Sequence, residues 1–146
     1  MVRRSSTSDA PFTDPHTPDP RSPDPTDELI ADVFARGCPS RTTLDHVSGK
    51  WGILALSALL AGSYRFNALR RRVDGISEKM LAQTLQALER DGLVLRDVQA
   101  TIPPRVEYSL TPLGQRIAGK LTELIELVEA EMPTVLAARA RFDQPA

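Results

Sequence analysis

The sequence predicts a mostly helical protein that carries one small β-hairpin. Apolar residues recur at helical spacing through most of residues 27–140. Val106–Leu110 instead alternates apolar and polar side chains, which is typical of a half-buried strand. A second short apolar run, Leu93–Val98, precedes it, and Pro103-Pro104 lies between the two runs, as at the tip of a hairpin.

The composition excludes several classes of protein. The chain has 146 residues, 41% hydrophobic and 25% charged, which is ordinary for a globular protein of one domain with appendages. No apolar run approaches the roughly 20 residues that cross a membrane, and no secretory signal is evident, so a cytoplasmic protein is expected. One cysteine and two histidines argue against a disulfide framework and a metal centre. With no Gly-rich phosphate loop and no nucleophile beside a base, we expect neither a cofactor nor enzymatic activity.

Proline content divides the chain. Residues 1–26 contain six prolines and almost no large apolar residue, which predicts a disordered arm. Residues 27–146 predict a single domain that starts with two short helices, Asp27–Gly37 and Pro39–Ser48. Cys38 is then the expected N-cap of the second of these helices. His46 is interpreted as a helix-surface or dimer-contact residue.

The central segment predicts three further helices. The first carries Trp51 and several leucines and closes at Gly62; the second spans Arg65–Val73. Ser77 is the expected N-cap of the third, which runs to about Arg90 with Leu81, Leu85 and Leu88 facing inward. After the hairpin, Thr111-Pro112 predicts the start of a long helix that Pro133 ends or kinks.

This order of helices, followed by a two-stranded β wing, is that of a winged helix-turn-helix, which places one helix in the major groove of DNA. The formal net charge of −1 is compatible with this function because the charge is unevenly distributed. Residues 49–110, the expected DNA-binding core, hold nine Lys and Arg residues against six Asp and Glu residues. Local charge governs attraction to phosphate.

Two sets of side chains are candidates for contact with double-stranded DNA. The polar face of the third helix suits hydrogen bonds to base edges, although a solvated helix surface has the same composition. Its residues are Ser77, Lys79, Gln83 and Gln86. A second set, at the flanks of the groove and on the wing, suits phosphate contacts. These residues are Arg65, Arg70, Arg71 and Arg105. The alternative for the arginine run is pairing of Arg71 or Arg72 with Asp74 or Glu78.

Several short strings occur together across about residues 38–121. They are Cys38-Pro39, Gly49-Lys50-Trp51, Arg65-Phe66, Ile76-Ser77, Lys79-Met80-Leu81, Leu88-Glu89, Asp91-Gly92-Leu93, Arg96, the run from Pro103 to Thr111, and Gly114. Through them the chain resembles the HxlR-type bacterial transcriptional regulators. The resemblance implies a homodimer that binds an inverted repeat at a promoter, with a recognition helix from Ser77 and a wing at 100–105. Repression is the usual consequence of such binding. The arm at 1–26 has no counterpart.

Two further expectations concern assembly and signal. The apolar stripe after Thr111 and the Phe34 segment predict dimerisation helices at 27–48 and 111–140; the alternative is that both fold back on their own domain. Some relatives of this type sense oxidants or electrophiles, such as quinones, through a cysteine at the Cys-Pro position. Cys38 is therefore a redox-sensor candidate, and the alternative is a small buried structural residue. With Cys38 structural, a small aromatic ligand near Trp51 is the competing signal, and a protein-interaction module is a further alternative.

Overall fold

The computed structural model describes residues 32–145. The expected arm at 1–26 and the first residues of the expected Asp27–Gly37 helix lie outside the described residues. The chain divides into two compact units, Met1–Arg41 and Thr42–Ala146. The single domain over 27–146 stays a prediction.

In the first unit, the prediction of a helix over Asp27–Gly37 is wrong for the part that the structure describes, residues 32–37. Residues 33–37 form turns, closed by hydrogen bonds from the backbone N–H of Ala35 to the carbonyl of Asp32 and from that of Cys38 to the carbonyl of Ala35. The Asp32 carboxylate also accepts a hydrogen bond from the N–H of Phe34 at 3.1 Å. Such local side-chain bonds compete with the helix, and here the turn forms. Phe34 is consequently 91% exposed.

Six helices and three strands follow in the described residues. In chain order they are α1 Pro39–Ser48, α2 Lys50–Leu60, β1 Tyr64–Arg65, α3 Phe66–Arg72, α4 Glu78–Arg90, β2 Val94–Gln99, β3 Arg105–Leu110, α5 Pro112–Ala130 and α6 Met132–Phe142. None of the helices within residues 32–145 combines the length and the apolar character needed to cross a membrane.

The mostly helical, winged class is confirmed, and the sheet has one more strand than expected. It is antiparallel with the order β1-β3-β2. β2 and β3 form the predicted hairpin, in the register Val94 opposite Leu110 and Gln99 opposite Arg105. The additional strand, β1, pairs Tyr64 with Tyr108. Two residues are too few to show the alternating pattern of a strand in the sequence, and β1 is a strand only through its pairing with β3.

The core of the second unit lies where α2, α3 and α4 meet the sheet and α5. Leu81, Leu85 and Leu88 are fully buried, as their spacing predicted. Trp51 packs against the same core. These contacts place α4 with one face inward and the other in solvent.

The ends of α4 and α5 follow the predicted capping chemistry. Ser77 precedes α4, and the Thr111 hydroxyl accepts a hydrogen bond from the N–H of Gly114 at 3.0 Å at the start of α5. A Cβ atom on Gly114 would lie 2.0 Å from the carbonyl oxygen of Leu93, so α5 approaches the sheet more closely than any other residue would permit. The long helix ends at Ala130, and α6 starts with a proline at its second position.

Candidate nucleic-acid interface

The exposed face of α4 is the first part of the site. Ser77 caps this helix, because its hydroxyl accepts a hydrogen bond from the N–H of Met80 at 3.0 Å. At about 100° per residue, Lys79, Gln83 and Gln86 lie on the side opposite the buried leucines. All three are exposed. The helix thus presents donors and acceptors on one face, while the Ser77 hydroxyl already has a structural role.

A groove of about 790 Å³ between the start of α3 and the tip of the hairpin is the second part. Three of the predicted phosphate-binding residues, Arg65, Arg71 and Arg105, line this wing groove. All three are exposed, and no Asp or Glu lines the groove. Guanidinium groups without a carboxylate partner are suited to bind phosphate oxygens, frequently through two hydrogen bonds each.

An adjoining groove of about 770 Å³ follows the turn between α3 and α4. Asn67 and Arg71 line both this turn groove and the wing groove, so the two form one surface that reaches Ser77. Arg70 also lines it, but its Nε points to the carbonyl oxygen of Ile76 at the long distance of 3.5 Å. Arg70 is therefore directed to the protein backbone, unlike Arg71.

The alternative pairing of the arginine run is wrong for the described residues. In these residues, close contacts between a basic side chain and a carboxylate join His46 to Asp91 and Lys120 to Glu123. Neither Arg71 nor Arg72 is among them, although Asp74 and Glu78 line the turn groove together with Arg71.

Asn67 is a candidate that the sequence reasoning missed. It lies exposed on α3 and lines both grooves. Its amide both donates and accepts hydrogen bonds, which suits contact with a sugar or phosphate. The sequence analysis considered basic residues here, and the available signal was a polar residue two positions after Arg65.

His46 has a more specific place than the helix surface or dimer contact that was expected. Its Nδ1 lies 2.6 Å from Oδ2 of Asp91, the residue that ends α4. Both side chains are partly buried. This hydrogen bond fixes the last turn of α4 to α1.

Cys38 lies directly before α1 and is 1% exposed. Its Sγ is 2.9 Å from the hydroxyl oxygen of Ser40. Burial raises the pKa of the Cys38 thiol, but hydrogen bonds with the Ser40 hydroxyl and with the backbone of Ser40, Arg41 and Asp32 lower it, and the net pKa lies below its ordinary value. Hydrogen bonds therefore outweigh burial at this thiol.

The helices α5 and α6 carry apolar side chains that the described chain leaves uncovered. α5 buries only Gly114 and Ala118, and α6 buries none of its residues. About half of each large side chain on this apolar stripe is exposed. The stripe consists of Leu113, Leu124, Leu127, Val128 and Leu136.

A helix-turn-helix with a β-hairpin wing and an arginine-lined groove defines the winged-helix DNA-binding class. Residues 46–135 match the family described as HxlR-like helix-turn-helix, and the chain belongs to this family of transcriptional regulators. It is 52% identical over 108 residues to YtfH of Escherichia coli, an uncharacterized HTH-type transcriptional regulator, covering 74% of this chain and 86% of YtfH.

Solved structures agree with this assignment. The structure of ytfH from Salmonella typhimurium is 51% identical with a TM-score of 0.71, covering 75% of this chain and 97% of ytfH. The oxidized form of the redox regulator HypR is 39% identical with a TM-score of 0.59, covering 64% of this chain and 96% of HypR. Diamide-treated YodB from B. subtilis is 28% identical with a TM-score of 0.55, covering 66% of this chain and 96% of YodB.

Proposed function

We propose that this protein is a homodimeric transcriptional repressor that binds an inverted repeat in promoter DNA. The observation that carries the proposal is the wing groove, which three arginines line with no Asp or Glu, and which adjoins the turn groove at the start of α4. Electrostatic contact of this kind supplies a large share of protein–DNA affinity.

The side chains divide by role. Arg65, Arg71 and Arg105 bind phosphates and fix the register of the protein on the duplex. Lys79, Gln83 and Gln86 contact base edges, where Gln pairs with adenine and Lys with guanine. The remaining predicted residues support this surface: Ser77 caps α4, and Arg70 braces the turn before it.

The apolar stripe on α5 and α6 is the proposed dimer contact. Leu124, Leu127 and Leu136 are each about half exposed, and exposed apolar patches of such residues are typical of protein interfaces. A two-fold pairing of this stripe presents two copies of α4, and half-sites about 34 Å apart then match one turn of DNA.

Fluorescence anisotropy with duplexes from the gene's own upstream region tests the proposal. The wild type should bind one such duplex tightly as a dimer, and Gln83→Ala should reduce its preference for that duplex over a scrambled one. Glu123→Gln, on α5, is the matched control. Equal affinity of the wild type for both duplexes would contradict sequence-specific binding.

For the signal, we favour modification of the Cys38 thiol. Its lowered pKa increases the thiolate fraction, which is the reactive form. The similar proteins HypR and YodB were solved in oxidized or diamide-treated forms. With a single cysteine per chain, the products are an intersubunit disulfide, a small-thiol adduct, an alkylated thiol or a sulfur oxyacid.

Cys38→Ser separates the alternatives. Diamide or a quinone should release the wild type from DNA and leave the variant bound. An identical response of both proteins would make Cys38 structural and favour a small-molecule signal. Trp51 is a poor candidate for that ligand's site, because it packs against the core and Lys50 Nζ lies 4.4 Å from its ring centre. No duplex binding at all would favour a protein-interaction module.

A further inference from the structure

A separate cavity of about 480 Å³ lies between α2, α5 and the turn that follows α3. Its volume falls in the range of pockets for small organic ligands, about 300–1,000 Å³. Asp74, in that turn, lines both this inner cavity and the turn groove of the DNA-binding surface. A molecule in the cavity therefore reaches the connection between the two helices of the helix-turn-helix.

Two hydroxyl groups in the walls of the cavity have no partner. Ser57 on α2 and Thr122 on α5 both line it, and the oxygen of each is closed to solvent without a hydrogen bond. Serine and threonine in helices ordinarily bond to a carbonyl of the preceding turn, and a buried hydroxyl left unbonded is costly. Each of the two hydroxyls can therefore still donate and accept a hydrogen bond.

The charge of the lining selects the kind of ligand. Asp74, Glu126 and Glu129 face the single cation Arg72, and none of the four is in an ion pair with a described residue. The inner wall is apolar, since Val73 and Ala58 are buried, whereas the carboxylates are exposed at the rim. An apolar body with one positive charge fits this arrangement.

The inner cavity lies on a different side of α5 from the apolar stripe. Glu126 follows Leu124 by two positions, which places the two side chains about 200° apart around the helix. A second copy that covers Leu124 and Val128 therefore leaves the carboxylates accessible to a ligand.

We infer that the inner cavity binds a small organic cation with an aromatic or aliphatic body. The carboxylates of Glu126 and Glu129 bind the cationic group, and the Ser57 and Thr122 hydroxyls become accessible to the ligand as the helices adjust around it. Through Asp74 the ligand shifts the turn before α4 and lowers the affinity for DNA. This last effect rests on the proposed function, whereas the binding site does not.

Isothermal titration calorimetry on the full chain, without DNA, tests the site with three compounds of one shape. They are tryptamine, which is cationic, tryptophol, which is neutral, and indole-3-propionate, which is anionic. Tryptamine should bind once per protomer and at least tenfold more tightly than indole-3-propionate. Equal affinities, or no saturable binding of tryptamine, would overturn the inference.

Variants locate the binding. Glu126→Gln combined with Glu129→Gln should weaken tryptamine binding about tenfold, whereas Glu123→Gln should not, because Glu123 pairs with Lys120 and does not line the cavity. Thr122→Val should weaken binding and raise the thermal midpoint, since it removes an unpartnered hydroxyl while keeping the side-chain shape. Unchanged binding in both cavity variants would refute this location.

Anisotropy with the cognate duplex then tests the regulatory step. Tryptamine should weaken DNA binding by the wild type, and the Glu126→Gln, Glu129→Gln variant should need about tenfold more tryptamine for the same loss of DNA affinity. If tryptamine binds but DNA affinity stays constant, the coupling through Asp74 is wrong and the site stands. If the protein fails to bind DNA, the proposed function fails, and calorimetry alone decides the site.

Discussion

Replacement of Arg105 by alanine should make DNA binding less sensitive to salt. Arg105 is the first residue of β3 and shares the wing groove with Arg65 and Arg71. Each phosphate contact by an arginine releases condensed counterions from the duplex, so the salt dependence of the affinity counts these contacts. A contact that carries no sequence information should also weaken cognate and scrambled duplexes alike.

The size of the effect follows from the number of arginines. Two wing grooves in a dimer supply about six phosphate contacts, for which the slope of log K against log salt is about −5.4. Arg105→Ala removes one contact per protomer and should reduce the slope to about −3.6. Between 50 and 200 mM salt, the wild type should lose roughly 1,800-fold in affinity and the variant roughly 150-fold.

Anisotropy titrations at four or more salt concentrations measure both slopes. Arg141→Ala is the matched control, because it removes the same charge from α6 and lines neither groove. A slope that is unchanged in Arg105→Ala, or reduced equally in Arg141→Ala, would show that the wing groove does not contact phosphates.

Three further outcomes are expected. Ser40→Ala should raise the pKa of the Cys38 thiol and slow its alkylation at neutral pH. Above about pH 10, where the thiols of both proteins are ionised, wild type and variant should react at the same rate. Unequal rates there would mean that Ser40 controls the access of the reagent to the thiol. Gly114→Ala should lower the free energy of unfolding by about 1–3 kcal/mol in urea titrations, because the added Cβ meets the backbone of Leu93. Gly119→Ala, whose added Cβ meets no atom, is the control and should raise that free energy by up to about 1 kcal/mol. Equal effects of the two substitutions would contradict the close approach of α5. Leu124→Glu should give a folded monomer in sedimentation equilibrium, and a dimer that persists would place the interface elsewhere.

The elements with their own repeating pattern could be predicted from the sequence. The predicted bounds Pro39–Ser48 of α1 agree with the structure. α4 begins after Ser77, as predicted, because the Ser77 hydroxyl caps the helix. The strand at Tyr64 could not be predicted, since its two residues acquire strand geometry only by pairing with β3. The turns at 33–37 likewise depend on local hydrogen bonds, which Asp32 accepts from the N–H groups of Phe34 and Ala35.

The candidate site shows the same division. Composition and helical period placed Gln83 and Gln86 on the outer face of α4, and the structure exposes both. Helical geometry predicts that Arg70 and Arg71 point about 100° apart. It does not predict which of the two contacts the backbone of the following turn, because the position of that turn is a tertiary feature. The inner cavity was missed because its walls come from α2 and α5, and Ser57 and Thr122 look like ordinary helix residues in the sequence.

The helix α4, which we propose enters the major groove, is held at both ends in the protein without DNA. Ser77 caps its first turn, and the hydrogen bond between His46 and the Asp91 carboxylate joins its last turn to α1. Because α4 is already ordered, little of the free energy of DNA binding is lost in ordering it. Under the proposed function, a signal would act by displacing one of the two supports rather than by folding the helix. α1, which begins directly after Cys38, carries one support, and the turn containing Asp74 leads into the other. Oxidation and a bound cation would then act at opposite ends of the same helix, so their effects on DNA affinity should be separable by variants of His46 and Asp74.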